Sequence, residues 1–385
     1  MKISPHRILR VYVETNGSGL QQQSAPVHIS DGTNNMVLRN EGIFYLIADV
    51  IFLGLGRILL FVVARRCAPR PRKNGLTESP RNIFMIIRVP GETITGSRFE
   101  THNGGKGANQ AVMARRMGVG VAMVACLGDD SYGTDYVKSL CDDGIDCGSV
   151  RRDAGAATGV AQICVEEAGG SEGGGGGGNF IVIVPGANYL LSPEDVAAAT
   201  NRLKDAKIIM CQSEVRPEAT LAALERGRAA GMTTIFNPAP AQADLPDRYL
   251  ELSDILCPNE TELALLCKGD IDPEDDESVV AGARELLARG AKNVVVTLGS
   301  NGCMLVSSTS EVCQRFPADK VNATDTVGAG DAFLGSLGAY LARGMALEDA
   351  IGKAVRVASV TVTRAGAQPS YPQGGDLPPD LHLPP

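Results

Sequence analysis

Asp325-Thr326-Val327-Gly328-Ala329-Gly330-Asp331-Ala332-Phe333 is the stretch on which the reading of this chain turns. Two glycines flank an alanine, an acid follows, and Phe333, Leu337, Tyr340 and Leu341 then recur at helical spacing until Gly344. A helix that begins behind glycines presents free backbone N–H groups and the positive end of its dipole, and both attract anions. Asp331 stands at that opening. A carboxylate is a poor neighbour for a stored phosphate. It is a useful one if it takes a proton from a hydroxyl that attacks the phosphate. Taken alone, the pattern reads better as a glycine-capped helix with an exposed aspartate.

Outward from this stretch, Asn103-Gly104-Gly105-Lys106-Gly107-Ala108-Asn109-Gln110 is a second glycine-rich turn that runs into a helix, with Ala111, Ala114 and Met117 on one face. Between the two turns, short apolar runs at 121–127, 208–211, 233–236, 255–257 and 294–297 read as buried strands. Helical patterns cover 194–206, 217–230 and 277–289. The alternation predicts an α/β fold, a mostly parallel sheet covered by helices on both faces, with ligands at the carboxyl ends of the strands. Glu214, Asn237, Asn259 and Thr297 each follow a strand and fall on that rim. Residues 158–165 and 180–184 are β-rich and predict a hairpin, and the glycine run 173–178 makes its tip flexible. That run lacks a following Lys-Ser/Thr, and no G-x-x-x-x-G-K-[ST] occurs in the chain, which excludes a P-loop.

Composition narrows the classes further. The 385 residues suffice for one large domain or two, with a sizeable core. A net charge of −8, a pI near 5.2, 4% aromatics and no Trp argue against a nucleic-acid partner. Ten cysteines without a C-x-x-C pair read as reduced core thiols, and the chain is expected to be cytoplasmic. His6, His28, His102 and His382 form no cluster, so His-based metal sites and Ser-His-Asp hydrolysis are poor hypotheses; His102 reads as a solvent-facing loop residue.

Residues 1–80 differ in texture from the rest. The apolar run 43–64 is interrupted by Asp49 and Arg57 and followed by Arg65, Arg66, Arg70, Arg72 and Lys73. It reads as a membrane segment, although two mid-span charges cost roughly 5–7 kcal/mol on the insertion scale. It also reads as a buried helix, as a transit peptide spoiled by Glu14, Asp31, Glu41 and Asp49, or as a stretch foreign to the fold, such as an alternative first exon. A genuine segment there implies organellar or membrane-tethered placement.

The two glycine-rich stretches together closely resemble the signature motifs of the ribokinase (PfkB-type) sugar kinase family. Pro185-Gly186-Ala187-Asn188, Gln212-Ser213-Glu214, Asn237-Pro238-Ala239-Pro240, Pro258-Asn259-Glu260-Thr261-Glu262, Thr297-Leu298-Gly299-Ser300-Asn301-Gly302 and Thr363-Arg364-Ala365-Gly366-Ala367-Gln368 agree with it in order, from about residue 85 to 372. The resemblance implies a three-layer α/β sandwich with a small β-sheet lid, formed near 86–103 and 156–184, as one kinase domain over 81–385. It implies ATP-dependent phosphorylation of D-ribose at O5, or of a related sugar or nucleoside, with Mg²⁺ and K⁺ as cofactors, and a homodimer through the lid.

Residue by residue, the resemblance makes Asp331 the catalytic base and the N–H groups of Gly328, Ala329 and Gly330 its anion hole. Gly104, Gly105, Lys106, Asn109 and Glu214 match sugar ligands, although Lys106 alone reads as a loop lysine and Glu214 as a salt-bridge partner of Arg216. Asn259, Thr297, Gly299, Ser300, Gly302 and Gly330 match nucleotide positions. Glu262 matches a water-mediated Mg²⁺ position, and Asn259 with Glu262 also fits a capping box. Asp325, Val327, Thr361, Arg364, Gly366 and Ser370 match a monovalent-cation loop. The family's opening Gly-Ser-x-Asn-x-Asp strand has no counterpart here: a loose register sets Asn82 on its Asn and Phe84 where the acid belongs. A weak sugar- or nucleotide-binding homologue is therefore the rival expectation.

Overall fold

The computed structural model describes residues 100–165, 179–309 and 313–384, with four short strands nearer the N-terminus. The chain divides into two compact units, Met1–Arg98 with Cys164–Phe180, and Phe99–Ile163 with Ile181–Pro385. In the first unit β1 (Val11–Val13) pairs antiparallel with β2 (Gln21–Gln23), and β3 (Val37–Asn40) with β4 (Ile43–Leu46). The apolar run at 43–64 thus opens as a strand. Its remainder, the first lid segment up to residue 99 and the hairpin tip at 166–178 lie outside the described residues. Among those described, no helix is long and apolar enough to cross a membrane.

The second unit begins with α1 (Lys106–Arg116), β5 (Ala122–Gly128), α2 (Ser131–Asp142) and β6 (Asp146–Asp153). Asp130 caps α2 by accepting from the Gly133 N–H at 2.8 Å, which satisfies one of the orphan donors of the first turn. β5 and β6 run parallel as a two-stranded sheet. β7 (Val160–Val165) and β8 (Asn179–Val184) form a second two-stranded sheet, whose Val160, Ile163, Val182, Ile183 and Val184 are largely exposed.

The chain then passes through α3 (Pro193–Arg202), β9 (Ile208–Cys211), α4 (Pro217–Ala229), β10 (Thr233–Phe236), α5 (Asp247–Glu251), β11 (Ile255–Leu256), α6 (Glu260–Cys267), α7 (Asp276–Ala288) and β12 (Asn293–Thr297). It closes with β13 (Cys303–Ser307), β14 (Cys313–Phe316), α8 (Ala329–Ala342) and α9 (Leu347–Thr361). The main sheet runs β14-β13-β12-β11-β10-β9, parallel from β9 to β12 and antiparallel at β13 and β14. Among the described residues, neither β5 nor β9 has a second strand neighbour.

Strand periodicity divides the core into two faces. Val295 and Ile235 join the cluster formed with α1, α8 and α9, while Val294, Val296 and Phe236 join the one formed with α4 to α7. The result is the expected sandwich of helices, mostly parallel sheet and helices. The structure corrects several boundaries. The helix expected at 194–206 stops at Arg202, where Leu203 leaves the helical region at φ −101° and ψ 49°. The helix expected to start after Asp331 starts at Ala329, which puts Asp331 inside its first turn. β6, β13, β14 and α2 are additions to the elements expected from the sequence; β6 and β14 carry mixed polarity, whereas β13 is an apolar run and α2 is amphipathic.

α8 is buried along Asp331–Tyr340, and its small residues let a neighbour come close. A Cβ on Gly335 would lie 2.5 Å from the Gln110 carbonyl oxygen and 2.7 Å from Met113 Cβ. Glycine there allows α1 to pack against α8 backbone to backbone, which brings the start of α1 beside the start of α8.

Candidate active site

The entry to α8 is shaped by Gly328, its N-cap, at φ +77°. A side chain there would be strained and would also meet Tyr371 Oη at 2.6 Å and Ala367 Cβ at 2.8 Å, so the fold itself requires glycine. Gly330 is different: a Cβ there would meet nothing within 4 Å. Ala329 and Gly330 open the helix with no side-chain cap, and the Ala329 N–H donates to the Thr326 carbonyl at 3.2 Å.

Asp331 is 7% exposed. Its Oδ2 accepts from Asn109 Nδ2 at 2.9 Å and its Oδ1 from Gln110 Nε2 at 3.0 Å. Gln368 Nε2 donates to Asn109 Oδ1 at 3.0 Å and to Tyr136 Oη at 3.1 Å. Tyr136 in turn donates to the Gly104 carbonyl, and Gln212 Nε2 donates to Gln110 Oε1 at 2.6 Å. The carboxylate therefore sits at the centre of a buried chain of amides.

Gly104 and Gly105 form the turn before α1, and a Cβ on Gly104 would also meet nothing within 4 Å. Lys106 opens α1, and its backbone N–H donates to Glu214 Oε2 at 2.7 Å. Glu214 makes no ion pair with Arg216 among the described residues, which corrects the bland reading of that residue. Burial raises the carboxyls of Asp331, Glu214 and Glu262 above their ordinary range, and the Lys106 ammonium facing all three pulls them partly back. One lysine and three acids thus converge from α1, the end of β9, α6 and α8.

Asn259 and Glu262 form the expected capping box of α6. Asn259 Oδ1 accepts from the Glu262 N–H at 2.7 Å, and Glu262 Oε2 from the Asn259 N–H at 2.8 Å. Asn259 is bridged to Thr297 at the end of β12, and the Thr297 N–H donates to the Pro258 carbonyl at 3.0 Å. Gly299 and Ser300 lie in the short 3₁₀ turn that follows, both exposed, and Gly302 closes it at φ +83° with the Phe316 carbonyl against its Cα. No side-chain hydrogen bond among the described residues joins this turn to Asp331, whose charge is felt at Glu262.

Asp325 ties two loops together. Its Oδ1 accepts from the Val327 N–H at 2.9 Å and its Oδ2 from the Gly366 N–H at 2.8 Å. Thr361 ends α9, the exposed Arg364 donates its backbone N–H to the Thr361 carbonyl at 3.1 Å, and Ser370 Oγ donates to the Ala367 carbonyl at 2.7 Å. His102 is solvent-facing, as expected, beside Glu100. No cluster of three or more His, Cys, Asp or Glu among the described residues could hold a metal ion. Gln110, Gln212 and Gln368 sit in motif segments without an assigned role in the sequence reading, and Tyr136 is missed altogether. Its role has no local signal, because its partner Gln368 lies far along the chain.

The fold is an α/β sandwich with a glycine-framed helix entry beside a buried carboxylate. The model of the pfkB family carbohydrate kinases matches residues 79–374. The chain is 41% identical to the ribokinase of Mus musculus over 300 residues, covering 77% of this chain and 90% of that one. It is 38% identical to the deoxyribokinase of Salmonella typhi over 282 residues, covering 73% and 88%. Among solved structures, the ribokinase of Thermotoga maritima superposes with a TM-score of 0.64 at 35% identity, covering 74% and 89%. The ribokinase of Arabidopsis thaliana, complexed with ribose and ATP, does so with a TM-score of 0.65 at 29% identity, also covering 74% and 89%. The chain belongs to the pfkB family of carbohydrate kinases, as a ribokinase-type sugar kinase.

Proposed function

We propose that this chain transfers the terminal phosphoryl group of ATP to O5 of D-ribose, giving ribose 5-phosphate and ADP. The observation that carries the proposal is the placing of Asp331. It is a buried carboxylate in the first turn of α8, beside a Gly330 that faces open space. In this reading Asp331 takes the proton of the attacking hydroxyl, and the N–H groups of Gly328, Ala329 and Gly330 receive the charge that develops on the transferred group. Gly104, Gly105, Lys106, Asn109 and Glu214 hold the sugar so that one hydroxyl lies in line. Asn259, Thr297, Gly299, Ser300 and Gly302, with Gly330, take the nucleotide.

The donor set fits a magnesium ion carried in with the triphosphate, since Mg²⁺ needs only one or two carboxylates beside phosphate oxygens and water. Glu262 would hold it through water, and bound magnesium neutralises charge between the phosphates. Asp325, Val327, Thr361, Arg364, Gly366 and Ser370 would enclose potassium mainly with carbonyl oxygens. The solved Arabidopsis complex with ribose and ATP supports the choice of substrates, and the exposed apolar β7–β8 pair supports a lid, through which two chains would meet.

The test is a coupled assay of the purified chain with ATP, Mg²⁺ and K⁺ against D-ribose, 2-deoxy-D-ribose, D-fructose, adenosine and pseudouridine. Ribose should give the highest kcat/KM and ribose 5-phosphate as product; preference for another acceptor overturns the assignment. The deoxyribokinase relative makes 2-deoxyribose the closest competitor. A second reading, a sugar kinase with weakened ribose affinity, follows from Phe84 standing where the family's acid belongs. Loss of one charged acceptor for a polyol costs about 1.5–3 kcal/mol, or one to two decades of affinity. Micromolar ribose affinity with ordinary turnover would remove that reading.

A further inference from the structure

We propose that Gln110 is a positioning residue for the Asp331 carboxylate, and that Gln212 fixes which end of the Gln110 amide faces it. The inference rests on the reading of Asp331 as the base. Gln110 lies on α1 and is 2% exposed. Its Nε2 donates to Asp331 Oδ1 at 3.0 Å and to Asn237 Oδ1 at 3.4 Å, and its Oε1 accepts from Gln212 Nε2 at 2.6 Å. A side-chain amide has a donor end and an acceptor end, and a half-turn exchanges them. Because the Gln212 donor occupies the acceptor end of Gln110, the donor end is turned to the carboxylate. Asn237 is itself anchored, its Nδ2 donating to the Cys257 carbonyl at 2.8 Å. Every polar atom of the Gln110 side chain is thereby committed inside the protein, so it holds the carboxylate and is not available to a substrate.

Asn109 mirrors this arrangement on Oδ2, with Gln368 in the place of Gln212. Asn109, however, belongs to the segment assigned to the sugar, so its loss would mix two effects; Gln110 isolates one. Lys106 on α1, Glu214 behind β9, Glu262 on α6, Tyr136 on α2 and Tyr371 near the C-terminus also face Asp331. Among the described side chains only the two amides hydrogen-bond to it. They fix the plane of the carboxylate and favour its charged form, and each oxygen keeps lone-pair capacity for an incoming hydroxyl.

The experiment is a double-variant cycle read by titration. Gln110→Met keeps the length of the side chain and removes the donor. The ¹³C signal of the Asp331 carboxyl, assigned by its disappearance in Asp331→Asn, should then titrate about one to two pH units higher than in the parent. The acid limb of kcat should move up with it, while KM for ATP is unchanged. Gln212→Met, two residues removed from the carboxylate in the chain of amides, should shift the titration in the same direction by less. The double variant should equal Gln110→Met alone, because both act through one hydrogen bond. An unmoved Asp331 titration in folded Gln110→Met, or singles that sum in the double, overturns the proposal. If Gln110→Met does not fold, the half-buried Gln212→Met decides: a raised titration supports the relay and an unmoved one overturns it. The NMR readout needs no turnover. A chain inactive on every sugar, or an active Asp331→Asn, would therefore sink the proposed function without touching this result.

Discussion

Asp331 is asked to carry charge in a place that disfavours it. Burial raises its carboxyl above the ordinary aspartate range, with Lys106, Asn109 and Gln110 opposing. A base works only when deprotonated, so turnover should fall as pH drops through that raised value. Asp331→Asn should lower kcat by about 10²–10⁴-fold, the usual scale for a general base, and leave nucleotide binding nearly intact; near-full activity would remove Asp331 from the mechanism. Stability moves with the opposite sign. The folded state holds this proton more tightly than the unfolded chain, so the stabilisation is fully present below the unfolded value and lost as pH rises through the folded one. Subtracting the Tm-against-pH curve of Asp331→Asn from that of the parent should expose this decline. Glu214 and Glu262, raised mainly by burial, remain in both proteins, so the difference retains only the smaller part of their shift that the Asp331 charge causes. The sequence shows Asp331 and its neighbouring glycines plainly because they are contiguous. The amides that hold it come from residues 109, 110, 212 and 368, and no local pattern announces which of them will meet.

The entry to α8 separates glycines that serve the fold from one that does not. Gly335→Ala would press a methyl into the Gln110 carbonyl, and overpacking of this kind costs about 1–3 kcal/mol. Gly330→Ala meets nothing and improves helix propensity, so it should leave Tm unchanged or raise it slightly. Activity should nonetheless fall, because the methyl enters the space where phosphate is proposed to lie. A Gly330→Ala enzyme with parental kcat and KM for ATP would show that no ligand approaches there. The Asp325 loop makes a second expectation at this scale. It links the start of α8 to the segment after α9 through the Gly366 N–H, so an ion seated between the two loops would set the geometry of the helix entry. Potassium should activate more than sodium at fixed Mg²⁺, and indifference to potassium in the assay would refute the cation site. Helices and parallel strands were legible here from apolar periodicity and caps; the Asn259–Glu262 box is the clearest case, visible as spacing and present as two hydrogen bonds. β6, with an exposed or half-buried Asp-Cys-Gly-Ser-Val-Arg-Arg-Asp sequence, could not be read that way, since it pairs on a sheet margin where polarity is unconstrained.

For the molecule, the alternation of strands and helices predicts two covered faces, and Val294, Val295 and Val296 point to them in turn. The sheet's continuity is a separate matter, and β9 shows why. The carbonyls of Lys207 and Cys211 accept from Thr233 and Asn237 on the β10 side. By strand alternation the N–H groups of Ile208 and Met210 point the other way, where no described strand receives them. Their amide hydrogens should exchange with solvent deuterium far faster than those of Ile209 and Cys211; equally slow exchange would mean that further chain covers this margin. Fast exchange would mark this margin as open, and an open apolar strand edge is a template for foreign strands. In that case the purified protein should self-associate as its concentration rises, in a manner that light scattering detects and that Ile208→Lys suppresses; fast exchange without concentration-dependent scattering would remove the edge as a docking template. Handling the protein, as much as assaying it, would then be governed by the few backbone groups of β9 that no described strand receives.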